Sequence, residues 1–226
     1  MLMARRVIPI ITNETYHIFN RGIAGQTIYS SVYDYQRFID LINYYRFLSP
    51  RLRFSFYRRL PQNLKQDYRE ALIKKNPQQV LIYAYCLMPN HYHFVIKELI
   101  ENGVSKFIGN LQNSYAKYFN TRNKRHGSLF TEMFKNVRVE NEEHFIHLAR
   151  YIHLNPITSY IIKEPFELDN YPWSSFKYYL NDSRLDFLEK DTLLSLFKNI
   201  KELESFTKDQ IDYQRTIHNY THLFLD

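Results

Sequence analysis

The sequence predicts an α+β fold: a ferredoxin-like antiparallel sheet packed with helices, plus a mainly helical C-terminal segment. Three observations lead there. Between Thr15 and Glu140, strand-like and helix-like stretches follow one another as strand, helix, strand, strand, helix, strand. The two middle strands are apolar runs separated by Pro89-Asn90, the composition of a tight antiparallel connection. From Lys163 onward, Pro165, Pro172 and a rising share of acidic residues mark a change of character. The chain therefore divides into residues 1–162, with a basic insertion at about 49–78, and residues 163–226. With 226 residues it is long enough to bury a core without a metal or disulfide staple.

Each element has its own signal. Thr15 to Gly22, TYHIFNRG, carries β-branched and aromatic residues up to a glycine and reads as the first strand. In Asp34 to Leu48 the apolar Phe38, Leu41, Ile42, Tyr45 and Leu48 recur at helical spacing behind a capping Asp34. Ser49 to Pro77 is basic and irregularly patterned, an insertion with a short helix whose arginines and lysines either touch nucleic acid or are simply solvated. Gln79 to Pro89 is a continuous apolar strand, and His91 to Glu98 is its hairpin partner. Gly103 to Asn120 has Phe107, Ile108, Leu111, Tyr115 and Tyr118 at helical steps and ends in the basic loop RNKRHGS. Phe134 to Glu140 alternates as the last strand. Asn141 to Leu154 is a helix with Asn141 as N-cap and Pro156 just past its end.

Charge and composition narrow the partners. A net charge of +7, with 20 tyrosines and 17 phenylalanines, makes a basic surface interleaved with rings, which suits phosphates and splayed bases. The same numbers also describe a tyrosine-rich protein that binds no nucleic acid. Cys86 is the single cysteine, so an internal disulfide and a Cys-based zinc cage are excluded, in keeping with a reducing cytoplasm. No apolar run approaches the roughly 20 residues that span a bilayer. The opening MLMARRVIPIITNETYH holds too short an apolar stretch for a signal peptide. The expectation is a soluble cytoplasmic protein with no membrane partner.

The chemistry concentrates in two places. His91 and His93, two apart on a strand, point to one face and form half of a metal site, unless they are ordinary hydrogen-bonded strand residues. Tyr151 and Asn155, four apart in ARYIHLNP, share one face of a helix, a phenol beside an amide oxygen suited to a hard divalent ion. Two imidazoles and one amide oxygen suit Mg²⁺ or Mn²⁺ and leave positions open for phosphate oxygens. A phenol with a pKa near 10 needs help to act as a nucleophile, from the ion or from Arg150 or Lys135. Tyr115 and Tyr118 are rival nucleophiles that also fit an apolar stripe, and His144, His147 and Glu143 are a rival metal cluster that also fits a solvated helix face. Lys117, Arg122, Lys124 and Arg125 form a basic cluster for phosphates, and Asn20 and Arg21 sit where a strand end meets a DNA backbone. Trp173 reads as a core anchor.

Several blocks then resemble one family in order. YHIFNRG at the first strand, YCLMPNHYHFVI at the hairpin, HGSLFTEMFKN before the last strand, ARYIHLNP and YPWSSFKYY together resemble the single-tyrosine HUH transposases, most of all their REP-associated branch, from about Thr15 to Tyr179. The resemblance implies that His91, His93 and Asn155 hold a divalent metal and that Tyr151 is the nucleophile. It implies a transposase that cleaves and rejoins single-stranded DNA next to hairpins without ATP, leaving a 5′-phosphotyrosine and a free 3′-hydroxyl. Two departures stand out: Tyr92 occupies the hydrophobic position between the histidines, and Met133 stands where the pattern expects arginine. A catalytically silent DNA-hairpin-binding protein derived from such an enzyme is the alternative, and a metal-dependent RNA-processing nuclease is a third reading. Monomer and homodimer both stay open, the latter with the Tyr151 helix exchanged so that each site is completed in trans.

Overall fold

The computed structural model describes residues 9–216 except 49, 132 and 182, so the chain's opening stretch and the end of the C-terminal segment lie outside the described residues. The sheet comprises β1 (Thr15–Arg21), β2 (Val80–Met88), β3 (His91–Glu98) and β4 (Lys135–Arg138). Its order is β2-β3-β1-β4, and every neighbouring pair is antiparallel. Between β1 and β2 lie α1 (Val32–Tyr45), α2 (Phe54–Tyr57) and α3 (Gln62–Lys75). Helix α4 (Gly103–Arg122) joins β3 to β4, and α5 (Glu142–Thr158) follows β4. The C-terminal segment adds α6 (Phe176–Leu180), α7 (Asp191–Leu194) and α8 (Ile200–Lys208). This is the expected α+β sheet with helices.

The sheet is covered on both faces, which explains why β2 and β3 read as unbroken apolar runs rather than alternating ones. One face carries Tyr16, Ile18, Tyr92, Phe94 and Ile96, packed under Phe38, Leu41 and Ile42 of α1 and Phe107, Ile108, Leu111 and Tyr115 of α4. The other carries Ala84, Cys86, Met88 and Val95 beneath Phe145, Leu148, Ala149 and Ile152 of α5, together with Leu168, Tyr171, Phe176 and Tyr179 of the C-terminal segment. A bulge between Ile82 and Ala84 puts Tyr83 and Ala84 on the same face and so turns Cys86 and Met88 toward α5. Tyr92 settles one departure from the family pattern. Its ring is fully buried among Phe38, Phe94 and Phe130, and its hydroxyl accepts a 2.9 Å bond from Gln112, so the polar tip has a partner.

Three expectations need correcting. Asp34 does not cap α1; Ser31 is the N-cap, and the buried Asp34 carboxylate accepts from Ser30 N, the Ser31 hydroxyl, Tyr118 and Arg122. The carboxylate sits in the first turn, where negative charge complements the helix N-terminus, and its backbone donor, Ser30 N, lies just before the helix. The basic insertion holds two helices, with Tyr57 and Tyr68 packed around Tyr44, so tertiary contact organised a segment whose pattern looked irregular. Pro156 lies inside α5, which runs on to Thr158. The ring falls in the last turn, where a missing N–H removes only one bond, and Thr158 returns its hydroxyl to Leu154 O. Trp173 stacks on Tyr35 with centroids 4.5 Å apart while its carbonyl accepts from Leu87 N, tying the C-terminal segment to β2.

Candidate active site

The site forms where the start of β3 meets the exposed end of the α5 face. Register fixes its floor. His91 lies opposite Arg21 and Met88, and His93 lies opposite Phe19 and Cys86. Phe19 in turn faces Lys135 on β4. Residues directly across a sheet point the same way, so His91, His93, Phe19, Arg21 and Lys135 share one face. Residues two back along β1 share it as well, which adds His17.

Helix α5 supplies the roof. Asn141 caps it, its side chain accepting a 2.7 Å bond from His144 N, and Phe145, Leu148, Ala149 and Ile152 bury one stripe against β2 and β3. That stripe leaves Tyr151 and Asn155 at its margin, one turn apart. The Tyr151 ring, 42% exposed, stands edge-on to His93 with centroids 5.8 Å apart at 89°, and edge-on to His17 at 6.2 Å. Asn155 is buried, and its Nδ2 donates 3.0 Å to Tyr151 O. That bond engages Nδ2 and makes Oδ1 the end of the amide suited to a metal ion. Burial raises the Tyr151 phenol above its ordinary pKa, and a side-chain hydrogen bond with Asn155 works in the opposite direction.

The imidazoles are oriented by neighbours. His91 Nδ1 lies 2.6 Å from Asn90 Oδ1. Asn90 is itself gripped by the turn after β1: Gly22 N donates to Asn90 O at 2.7 Å, and Asn90 Nδ2 donates to Gly25 O at 3.2 Å. A side chain at Gly22 would put Cβ 2.3 Å from Gln26 O, so only glycine allows this close packing. His93 Nδ1 lies 2.8 Å from Nε2 of His17, the two rings lying edge to edge with planes 20° apart. Burial pushes His93 well below the ordinary histidine range and His17 down to about 4, with neighbouring imidazoles adding to both. Two imidazoles, each with Nδ1 engaged by a neighbour, and an amide oxygen form a donor set that fits a divalent ion accepting nitrogen and oxygen.

The other expected residues divide. Arg21 and Lys135 are exposed on the site's own face. Lys117 and Lys124 are exposed on and just after α4, on the far side of the sheet. Arg125 bonds Asn120 and Ser128 O, and Arg122 is paired with the buried Asp34 at 2.5 Å, so these two arginines brace the fold. Asn20 is buried and joined to Thr131, clamping β1 to the loop that leads into β4. Arg150 faces away from Tyr151, its guanidinium 4.2 Å over the Phe206 ring and bonded to Phe206 O and His147. Helical periodicity accounts for this, since consecutive residues point about 100° apart. The rivals are engaged elsewhere. Tyr115 is fully buried and donates to Ile28 O, Tyr118 donates to Asp34, His147 bonds Arg150, and His144 turns toward Glu140 N. Among the described residues no group of three or more His, Cys, Asp or Glu is arranged to hold a metal. The fourth protein group at the candidate site is the amide of Asn155.

His17 and Asn90, which contact His93 and His91, are the neighbours of the candidate site that sequence reasoning did not single out. The signal for His17 was the alternation of TYHIFNRG, which sets it on the opposite face from Tyr16 and Ile18.

Comparison with known proteins agrees. The family described as Transposase IS200 like matches residues 48–155, a span that contains His91, His93, Tyr151 and Asn155. A solved structure of a REP-associated tyrosine transposase bound to a REP hairpin shares the fold, with a TM-score of 0.52, 14% identity, and coverage of 83% of this chain and 98% of that one. No curated protein matches the chain. Among the described residues no helix is long and apolar enough to cross a membrane.

Proposed function

We propose that this chain, which carries an IS200-like transposase domain over residues 48–155 and the fold of a REP-associated tyrosine transposase, cleaves and rejoins single-stranded DNA beside hairpins through Tyr151. The observation that carries the reading is the Tyr151 phenol standing edge-on to His93, with Asn155 one helical turn on and His91 beside them on β3. In this structure one chain supplies all four groups of the proposed site.

His91, His93 and Asn155 would hold Mg²⁺ or Mn²⁺, which when bound offsets phosphate charge and fixes the geometry of in-line displacement. Tyr151 Oη attacks phosphorus, a phosphorus–phenol bond forms, and the bond to the 3′-oxygen breaks. The proton lost by the phenol and the one gained by the 3′-oxygen exchange through solvent. The products are a 5′-phosphotyrosine and a 3′-hydroxyl. Rejoining is the reverse attack by a 3′-hydroxyl, and the ester conserves the bond energy, so no nucleotide cofactor is required. Arg21 and Lys135, exposed on the site's face, are placed to hold the flanking phosphates.

A second cationic surface supports a nucleic-acid partner. Residues 51–75 carry Arg51, Arg53, Arg58, Arg59, Lys65, Arg69, Lys74 and Lys75 against Asp67 and Glu70, so this segment holds nearly all of the chain's net charge of +7. Among the described residues only Arg69 of these forms an ion pair, with Asp186. The segment packs beside the Gln79 end of β2, at the opposite end of the hairpin from His91. At about 3.3 Å per residue the length of β3 separates the two by roughly 23 Å, a distance that a hairpin stem can bridge. The reading places the protein in the cytoplasm, where the buried lone thiol of Cys86 stays reduced. It treats residues 1–162 as the catalytic part and residues 163–226 as the segment that braces α5.

The test is incubation with hairpin-flanked single-stranded DNA labelled at either end, in Mn²⁺ or EDTA. A protein-bound 3′ label and a shortened free 5′-labelled strand, both requiring Mn²⁺, are expected. Tight binding with neither product would instead favour the silent hairpin-binding protein.

A further inference from the structure

Among the contacts that the expected constellation did not include, the one between His17 and its member His93 is the most fully built. His17 comes from β1 and His93 from β3, and no residue pattern linked them. Yet their rings lie edge to edge, with planes 20° apart and centroids 5.1 Å apart, and their nitrogens meet at 2.8 Å. Phe19 completes the support, its ring 4.6 Å from His17 and 5.6 Å from His93. An imidazole can ligate a metal only through a nitrogen that carries no proton, so the tautomer of His93 decides whether it is a ligand. If His93 Nδ1–H donates to His17 Nε2, the His93 lone pair lies on Nε2. If His17 Nε2–H donates instead, His93 Nε2 is protonated and cannot bind.

We infer that His17 is a positioning residue: its Nε2 accepts the Nδ1 proton of His93 and thereby fixes both the orientation and the metal-binding tautomer of that ligand. The inference rests on the proposed metal site. The supporting geometry is the 2.8 Å nitrogen contact between two imidazoles whose planes lie 20° apart, with the Phe19 ring beside both. Partners of this kind typically change metal affinity by about 10- to 100-fold when removed.

The experiment uses the full chain and three side chains at position 17. In His17→Gln, the amide oxygen sits as many bonds from the backbone as Nε2 and still accepts a proton; in His17→Phe, nothing accepts. Mn²⁺ affinity is read from the electron paramagnetic resonance signal of the free ion, and folding from the melting temperature in EDTA. The expected result is about 10- to 100-fold weaker Mn²⁺ binding in His17→Phe, recovery to within a few-fold in His17→Gln, and melting temperatures that do not track the difference. Unchanged affinity in His17→Phe, or equal loss in both variants, would overturn the inference. Nitrogen-15 spectra of His93 in the metal-free protein separate this inference from the functional reading. A proton on Nε2 refutes the role of His17 whatever the protein does. A proton on Nδ1, with Mn²⁺ affinity unaffected by His93→Ala, upholds the orienting contact and refutes the metal site.

Discussion

Tyr151 on α5 stands edge-on to His93 on β3, ring centroids 5.8 Å apart at 89°, although the helix and the strand belong to distant parts of the chain. The packing of the α5 apolar stripe on Val95, Cys86 and Met88 brings them together. The nucleophile is therefore placed by the core, while its hydroxyl does little for stability. Tyr151→Phe is expected to fold and bind DNA as the natural protein does and to lose strand cleavage by on the order of 10³-fold or more. Melting temperature, gel shift and cleavage assays on the same preparation check all three.

Cleavage should also depend on pH in a definite direction. Burial raises the Tyr151 phenol, so protonation of the nucleophile limits the reaction across neutral pH. The cleavage rate at saturating Mn²⁺ is expected to rise from pH 6 to pH 9, by up to about tenfold per unit where the phenol limits. A flat profile would mean that proton loss from Tyr151 does not limit the rate.

Stability carries a second pH signature. His153 is buried, bonded to Ser175 Oγ at 2.8 Å, and pushed down to about 3 by burial. An unfolded histidine takes a proton near 6.5, whereas this one stays neutral in the fold. Stability is therefore complete above about pH 6.5 and declines as pH falls from there toward 3. His153→Gln is expected to lower the melting temperature at pH 7.5 and to flatten part of its fall between pH 7.5 and pH 5, as followed by circular dichroism.

Arg150 separates structure from chemistry. Its guanidinium over Phe206 and its bond to Phe206 O fasten α8 to α5. Arg150→Ala is expected to destabilise the fold by about 1 kcal/mol while leaving cleavage within a few-fold, measured by denaturant titration and by initial rates.

Much of this was legible in the sequence, and the exceptions have physical causes. Strand alternation and apolar runs marked all four strands, because a sheet buried on both faces leaves a dense signal in β2 and β3. His91, His93, Tyr151 and Asn155 were legible because their spacings carry a face. Their meeting across the sheet was not, and neither was the role of His17, whose partner lies on another strand. The basic residues were the least legible. Arg122, Arg125 and Arg150 look in sequence like the exposed Lys117 and Lys124, yet Asp34, Asn120 and Phe206 draw them into the fold. Charge alone does not say whether a cation faces solvent or a buried acceptor.

The insertion provides an electrostatic test. Replacing Arg58, Arg59, Lys74 and Lys75, all exposed, with glutamine removes charge far from Tyr151. Affinity for hairpin DNA is expected to fall, and the slope of log affinity against log salt to become shallower by roughly 0.7 to 0.9 for each phosphate that is no longer neutralised. Binding isotherms at several salt concentrations measure it, and an unchanged slope would remove the insertion from the DNA-binding surface.

The most direct test of the central claim is to find the atom that becomes esterified. After reaction with hairpin-flanked single-stranded DNA and Mn²⁺, the protein is digested with nuclease and trypsin and sequenced by tandem mass spectrometry. The account predicts a residual nucleotide 5′-phosphate on Tyr151, resolved by fragment ions from Tyr160 in the same peptide, and none in EDTA. Strand cleavage with the phosphate on Tyr115, Tyr118 or Tyr160, or on no tyrosine at all, would contradict it.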